Sequence, residues 1–275
     1  MDLRDKVAVI TGCSGALGAL LCEQLIRKGA TVYGIDLKEK PSAGTTNQVR
    51  YLCGDISDPK AMKKIVSDIL NQVGTIDLWI NNAGITAIGT FLQMPEAKFA
   101  DVLKINLDGT ILGTRLALEC MRAKDSGIII NLASASGHIP TPNMTAYSTS
   151  KHAVVGFTRS LRAELEFAGS AIRMVLVSPG FFRSSLICPS DSAVQFPKWL
   201  NWILSTPEQV SEQILRAIES GQNEIIPTWN GKAMIKAFQF LPNLTVKGSR
   251  VLLTNRFTDV LRGRFINPDS DRDAR

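Results

Sequence analysis

Residues Val7–Gly18 read "VAVITGCSGALG", four apolar residues and a threonine followed by glycine at 12, 15 and 18. An apolar run of strand length that meets closely spaced glycines and then a helical period reads as a strand turning tightly into a helix. The free N–H groups and dipole of such a helix start favour an anion, so the stretch serves either as a phosphate cradle or only as a tight turn. The residues around it decide between the two.

Strands are expected at Lys6–Thr11, Thr31–Ile35, Val49–Cys53, Leu78–Asn81, Gly127–Leu132, Ile172–Val177 and Glu224–Pro227. Helices are expected between them at Ala16–Arg27, Pro59–Gln72, Ala97–Met121, Ala146–Phe167 and Pro207–Ser220. Strands such as "GIIINLA" and "IRMVLVS" lack polar alternation, as when both faces are covered. The expectation is an α/β doubly wound (Rossmann-type) fold, a parallel seven-stranded sheet with helices on both faces.

The 275 residues, 45% apolar, can supply one sizeable core, and no repeat or linker interrupts the chain before Pro227. Five cysteines, at 13, 22, 53, 120 and 188, form no CxxC pair and have no nearby histidines, so neither a disulfide framework nor a metal site is expected. The N-terminus lacks a signal-like apolar stretch, and no apolar run approaches the roughly 20 residues of a membrane span, so a cytoplasmic protein is expected. From Pro227 onward nine Lys and Arg face four Asp, so most of the net charge of +6 belongs to the tail.

Asp36 closes the second expected strand, 18 residues after Gly18. A carboxylate there can accept hydrogen bonds from both hydroxyls of an adenosine ribose and repels a 2′-phosphate, which favours NAD over NADP. Lys38 and Lys40 could screen such a phosphate, so NADP is the weaker alternative. Further along, "YSTSK" sets Tyr147 and Lys151 one helical turn apart, about 6 Å at Cβ. A free phenol titrates near pH 10, and an ammonium beside it stabilises the phenolate, a tuning useful for general acid–base work. The same pair also occurs on ordinary solvated helices.

In chain order, "TGCSGALG", Asp36, "CGDI", "NNAG" at 81–84, "KIN" at 104–106, "NLASASG", "YSTSK" and "SPG" at 178–180 resemble the short-chain dehydrogenase/reductase family in its compact single-domain branch. The resemblance covers the first 227 residues and implies a dinucleotide-binding catalytic domain over 1–227, with a substrate lid at about 182–206; residues 228–275, outside the family motifs, read from their own composition as a basic amphipathic extension. It implies that Tyr147 exchanges a proton with the substrate oxygen while hydride passes to or from the nicotinamide. By the same likeness Lys151 lowers the tyrosine pKa and binds the nicotinamide ribose, Ser134 bonds the substrate oxygen, with Ser136 as a decoy, and Asn106 holds a water against Lys151. Gly12, Ser14, Gly15, Leu17 and Gly18 would cradle the pyrophosphate; Asp36 would take the ribose, and Asp55 and Ile56 would flank the adenine. Asn82, Ala83 and Gly84 would line the cofactor, and Pro179, Gly180, Phe182 and Ser184 would orient the carboxamide.

The family usually reads TGxxxGxG; here Gly15 precedes Ala16, so the middle glycine has moved by one and weakened binding is expected. With the neighbouring motifs counted, the opening stretch reads as the cradle. The reading is an NAD(H)-dependent oxidoreductase interconverting a secondary alcohol and a ketone; Phe181, Phe182, Phe196, Trp199 and Trp202 suit an apolar substrate or, equally, core packing or a subunit contact. The alternatives are an NADP(H)-dependent carbonyl or acyl-thioester keto reductase, and a cofactor-bound membrane-surface or regulatory protein. A homodimer or homotetramer is expected, and nucleic acid is not, because charge alone carries no recognition motif. The tail suits either a cover over core or pocket, or peripheral contact with an anionic membrane surface.

Overall fold

The computed structural model describes residues 1–38, 48–182 and 204–243. Seven strands, β1 (Val7–Thr11), β2 (Thr31–Asp36), β3 (Arg50–Cys53), β4 (Leu78–Asn81), β5 (Gly127–Leu132), β6 (Ile172–Val177) and β7 (Glu224–Ile225), form one sheet in the order β3-β2-β1-β4-β5-β6-β7. Every pairing is parallel. The order reverses between β1 and β4, and a crevice opens there beyond the carboxyl ends of the strands.

Both faces of the sheet are covered, as the apolar strands require. On one side Ala8 and Ile10 of β1 meet Leu21 and Leu25 of α1 (Ala16–Arg27) and Ile214 and Ile218 of α6 (Pro207–Ser220). On the other, Val7 and Val9 meet Met62 and Ile69 of α2 (Pro59–Val73) and Met121 of α4 (Gly109–Met121). Local chemistry sets the helix starts. The Asp58 carboxylate accepts from Lys60 N at 2.8 Å ahead of Pro59, and Thr206 with Gln209 forms a reciprocal capping box ahead of Pro207.

The helix expected over Ala97–Met121 is not continuous. It divides into α3 (Glu96–Leu103), a π-helical turn (Lys104–Asp108) and α4. Asn106, buried in that turn, binds the backbone of Ile85 twice: its Oδ1 accepts from Ile85 N at 2.8 Å and its Nδ2 donates to Ile85 O at 2.9 Å. Its Nδ2 also reaches Ser150 Oγ at 3.0 Å, on α5 (Thr145–Phe167). The widened turn holds the asparagine in these three bonds at the end of β4, where π-bulges commonly serve a site.

β7 is shorter than expected, ending at Ile225 rather than Pro227, which has no N–H for a ladder. A seventh helix, α7 (Trp229–Phe240), follows where no helix was expected, and its Ile235 packs with Ala135 and Ile139. Beneath the site runs a buried amide network. Asn81 Oδ1 accepts from the Trp79 indole at 2.7 Å, Asn81 Nδ2 donates to Asn131 Oδ1 at 2.8 Å, and Asn131 Nδ2 donates to Thr158 Oγ1 at 3.0 Å. The network ties β4, β5 and α5 together in a region where an unmade bond would be costly.

Candidate active site

The glycine loop lies at the head of the crevice. Gly12 has φ +66°, and a Cβ on it would stand 2.7 Å from the Cα of Ala83. A Cβ on Gly18 would stand 2.2 Å from the Gly12 carbonyl oxygen, whereas one on Gly15 would meet only that oxygen, at 3.4 Å. The tight turn therefore rests on Gly12 and Gly18. Gly15 is the N-cap of α1 with φ −73°, no side chain caps the helix, and its first turn carries no acid. Ala16 is exposed there, so its methyl crowds no part of the fold. Gly18→Ala is expected to cost about 1–3 kcal/mol by overpacking and to abolish loading of a dinucleotide. Gly15→Ala should cost under about 1 kcal/mol, as thermal unfolding and nucleotide titration of the two variants would show.

Leu17 turns its side chain into the core, leaving its main-chain N–H in the first turn of α1 as its contribution to the loop. Asn82 braces the loop: its Nδ2 donates to the carbonyls of Thr11 and Gly12, each at 3.0 Å. The Ala83 N–H donates to Thr11 Oγ1 at 3.1 Å. Asp36, at the end of β2, accepts from Ser14 N at 2.9 Å through Oδ2, which draws the carboxylate to the loop. Tyr51 of β3 joins the same corner, its hydroxyl 3.0 Å from Ser14 Oγ and donating to Lys38 O at 2.7 Å. Asp55 folds onto its own turn, accepting from Ser57 N at 2.8 Å and Ser57 Oγ at 2.7 Å, and Ile56 is buried beside Gly109.

At the far end of the crevice, Ser134 follows β5 and caps a short 3-10 turn (Ala135–Gly137), its Oγ accepting from Ser136 N at 3.2 Å. Ser134 and Tyr147 line one pocket, whereas the Ser136 carbonyl is held by the Ser148 hydroxyl at 2.9 Å. Lys151, one turn after Tyr147 on α5, is buried, donates to Leu132 O at 2.7 Å and sits 5.7 Å from the centre of the Tyr147 ring. Gly84 lies among them: a Cβ there would be 3.2 Å from Asn106 Oδ1 and 3.7 Å from Lys151 Nζ. Ser134, Tyr147, Lys151 and Asn106 thus come together from three separate elements, the cap of the 3-10 turn, α5 and the π-helical turn.

Burial pushes the Tyr147 phenol above its ordinary value, against a smaller downward pull from the nearby Ser134 hydroxyl. Burial likewise lowers Lys151 to about 8. The likeness implied a phenol lowered by the lysine. In the protein alone burial is the largest influence on each group and drives both toward their neutral forms. A pocket lined by Thr86, Ser134, Met144, Tyr147, Phe181 and Phe182, among others, opens over the pair. Pro179 is fixed by Ala135 N, which donates to its carbonyl at 2.7 Å, and Gly180 N donates to Thr228 Oγ1 at 2.8 Å. Ser184, Phe196, Trp199, Trp202 and most of the expected lid lie outside the described residues.

Three residues at the site escaped sequence reasoning. Tyr51 gave no signal; Thr228 and Asn230 gave only a weak one, a threonine ahead of an apolar helical period, which is an N-cap pattern. Among the described residues no group of three His, Cys, Asp or Glu stands close enough to hold a metal ion.

The family described as short chain dehydrogenase matches residues 6–193. The chain belongs to the short-chain dehydrogenase/reductase family. It is 31% identical over 235 residues to the ketoacyl reductase HetN of Nostoc sp., covering 83% of this chain and 80% of that protein. It is 31% identical over 188 residues to the 3-oxoacyl-[acyl-carrier-protein] reductase FabG of Haemophilus influenzae, covering 67% of this chain and 77% of that one. The crystal structure of a family member from Burkholderia phymatum in complex with NAD superposes with a TM-score of 0.78 at 23% identity, over 89% of this chain and 96% of that one. A 3-ketoacyl-(acyl-carrier-protein) reductase from Brucella melitensis complexed with NADH gives 0.71 at 25% identity, over 82% and 95%. The protein is accordingly an oxidoreductase of this family, whose seven-stranded doubly wound sheet it shares.

Proposed function

We propose that the protein interconverts a secondary alcohol and a ketone with NAD(H). The observation that carries this reading is that Ser134 and Tyr147 line one largely apolar pocket, with the buried Lys151 one turn from Tyr147, beside a glycine cradle that ends in Asp36. The cradle fits a dinucleotide: Gly12 and Gly18 keep it clear of side chains, and the uncapped first turn of α1 offers unpaired N–H groups to a pyrophosphate. When bound, the nicotinamide supplies or accepts the hydride.

The chain's own residues do the rest. Ser134 orients the substrate oxygen, and Tyr147 gives it a proton in reduction or takes one in oxidation. Lys151 feeds that phenol with charge and a proton, and Asn106 fixes the end of β4 beside it. Met144, Phe181 and Phe182 favour an apolar body on the substrate. The names of the ketoacyl and 3-oxoacyl reductase relatives support a keto group as the reacting centre. Self-association through the outer faces of α4 and α5 belongs to the same reading. The packing of Ile235, Met234 and Phe238 of α7 on Ala135 and Ile139 supports a cover role for this part of the tail.

The Asp36 carboxylate would gain charge-assisted bonds with a ribose diol, each contributing about 1.5–3 kcal/mol, and would repel a phosphate. A preference of at least about tenfold in kcat/KM for NAD(H) over NADP(H) is expected. Asp36→Ala should erode it. Steady-state kinetics with both cofactors is the test, and equal use of NADP(H) by the wild-type protein would refute the assignment.

A further inference from the structure

The segment Ser178–Phe181 is held residue by residue. On one side the Ser134 turn grips it: Ala135 N donates to Pro179 O at 2.7 Å, and His138 Nε2 lies 2.9 Å from Ser178 Oγ. On the other side the first turn of α7 grips it. Thr228 Oγ1 accepts from Gly180 N at 2.8 Å and caps its own helix by accepting from Gly231 N at 3.2 Å, while Asn230 Nδ2 donates to Phe181 O at 2.8 Å. Thr228 and Asn230 are both almost wholly buried.

The two backbones touch directly. A Cβ on Gly180 would stand 2.6 Å from Gly231 N, and one on Gly231 would stand 2.8 Å from Gly180 N, so glycine is required on each side. Helix α7 also reaches the Ser134 turn, because its Ile235 packs with Ala135 and Ile139. One helix therefore joins the turn that carries the substrate-orienting serine to the segment that lines the pocket beside it. Thr228 and the residues of α7 lie beyond the span, 6–193, that the family match covers.

We propose that the first turn of α7 is a clamp that positions Pro179–Phe181 for hydride transfer, with Thr228 and Asn230 as its positioning residues. The proposal rests on the oxidoreductase reading above. Reacting groups must be held to a fraction of an ångström, and a misplacement of about 1 Å can cost about 10²-fold in rate. The Thr228 hydroxyl accepts two N–H groups at once, so its loss frees Gly180 and uncaps α7 together.

The test compares Thr228→Val, Thr228→Ser and Asn230→Ala with the wild-type full chain. Rates are measured with whichever of NAD(H) or NADP(H) the wild type uses, so that a preference for NADP(H) would refute the cofactor reading without touching this one. Two readouts need no turnover: the affinity for ADP-ribose, which lacks the nicotinamide, and hydrogen exchange at the Gly180 amide in protein without cofactor. In Thr228→Val and Asn230→Ala, kcat should fall by about 10–100-fold while the ADP-ribose dissociation constant stays within about threefold. Gly180 exchange should quicken by at least about tenfold in Thr228→Val. Thr228→Ser, which keeps the acceptor oxygen, should restore both to within about threefold of wild type.

Unchanged kcat in both Thr228→Val and Asn230→Ala would overturn the clamp. So would a parallel loss of kcat, ADP-ribose affinity and thermal stability that serine fails to rescue, since that pattern marks general damage to the fold. If Thr228→Val does not fold, the same criteria applied to Asn230→Ala decide the matter. Quickened Gly180 exchange in a wild-type and variant pair that transfers no hydride to or from any alcohol or ketone would overturn the oxidoreductase reading and the positioning role with it.

Discussion

Tyr147→Phe is expected to lower kcat by about 10² or more in both directions, with KM for the cofactor and the thermal midpoint little changed. The ring keeps its place on α5 and in the pocket, so packing survives. What is lost is the hydroxyl beside Ser134, the one titratable group among the described residues that line the pocket. Ser134→Ala should cost a similar order, because Ser134 is the serine whose hydroxyl lies near Tyr147. Ser136→Ala should cost far less, since the contacts that involve Ser136 run through its main chain, its N–H to Ser134 and its carbonyl to Ser148. Steady-state rates of the three variants against one ketone and its alcohol are the check. Near-normal turnover in Tyr147→Phe would rule out the mechanism, and a reversed order of the serines would move the oxyanion contact to Ser136.

The sheet was legible because its strands are short apolar runs and its helices begin with local signals, Asp58–Pro59 and Thr206–Pro207 among them. The π-helical turn was not. The apolar period runs through 97–121 without a break, and the interruption is made by Asn106 binding Ile85 and Ser150, 21 and 44 residues away. The glycine loop was legible in its spacing, whereas which of its glycines the turn needs shows only in the backbone. The shift from 16 to 15 falls at a position with ordinary φ and open space, so the departure that implied weakened binding leaves the turn itself intact. Helix α7 was missed because its capping threonine and its Gly231 are matched to Gly180, about 50 residues earlier, and no local pattern announces such a pairing. The catalytic quartet could be named from motif order, whereas the buried amides of Asn81 and Asn131, which the same motifs contain, show their bracing role only when the strands are paired.

Lys151→Met is expected to abolish turnover and to change how stability depends on pH. In the unfolded chain a lysine keeps its proton to about pH 10.5; in the folded protein burial lowers Lys151 to about 8. Below pH 8 both states are protonated, and the folded state carries the full penalty of a buried ammonium. Between about 8 and 10.5 the unfolded state binds more protons than the folded one, so wild-type stability gains from this residue as pH rises through that window. A shift from 10.5 to about 8 corresponds to about 3 kcal/mol. Methionine has a similar length and no charge, so the variant lacks that gain, although it leaves Leu132 O without the lysine's bond, a loss of about 1–3 kcal/mol at every pH. The stability of wild type relative to Lys151→Met should therefore rise by about 3 kcal/mol between pH 7 and pH 10.5, whatever the constant offset between them. Denaturant unfolding of both proteins at the two pH values measures it. A relative stability that does not move with pH would mean that Lys151 keeps an ordinary lysine pKa in the folded protein, and that it acts on Tyr147 as a permanent cation.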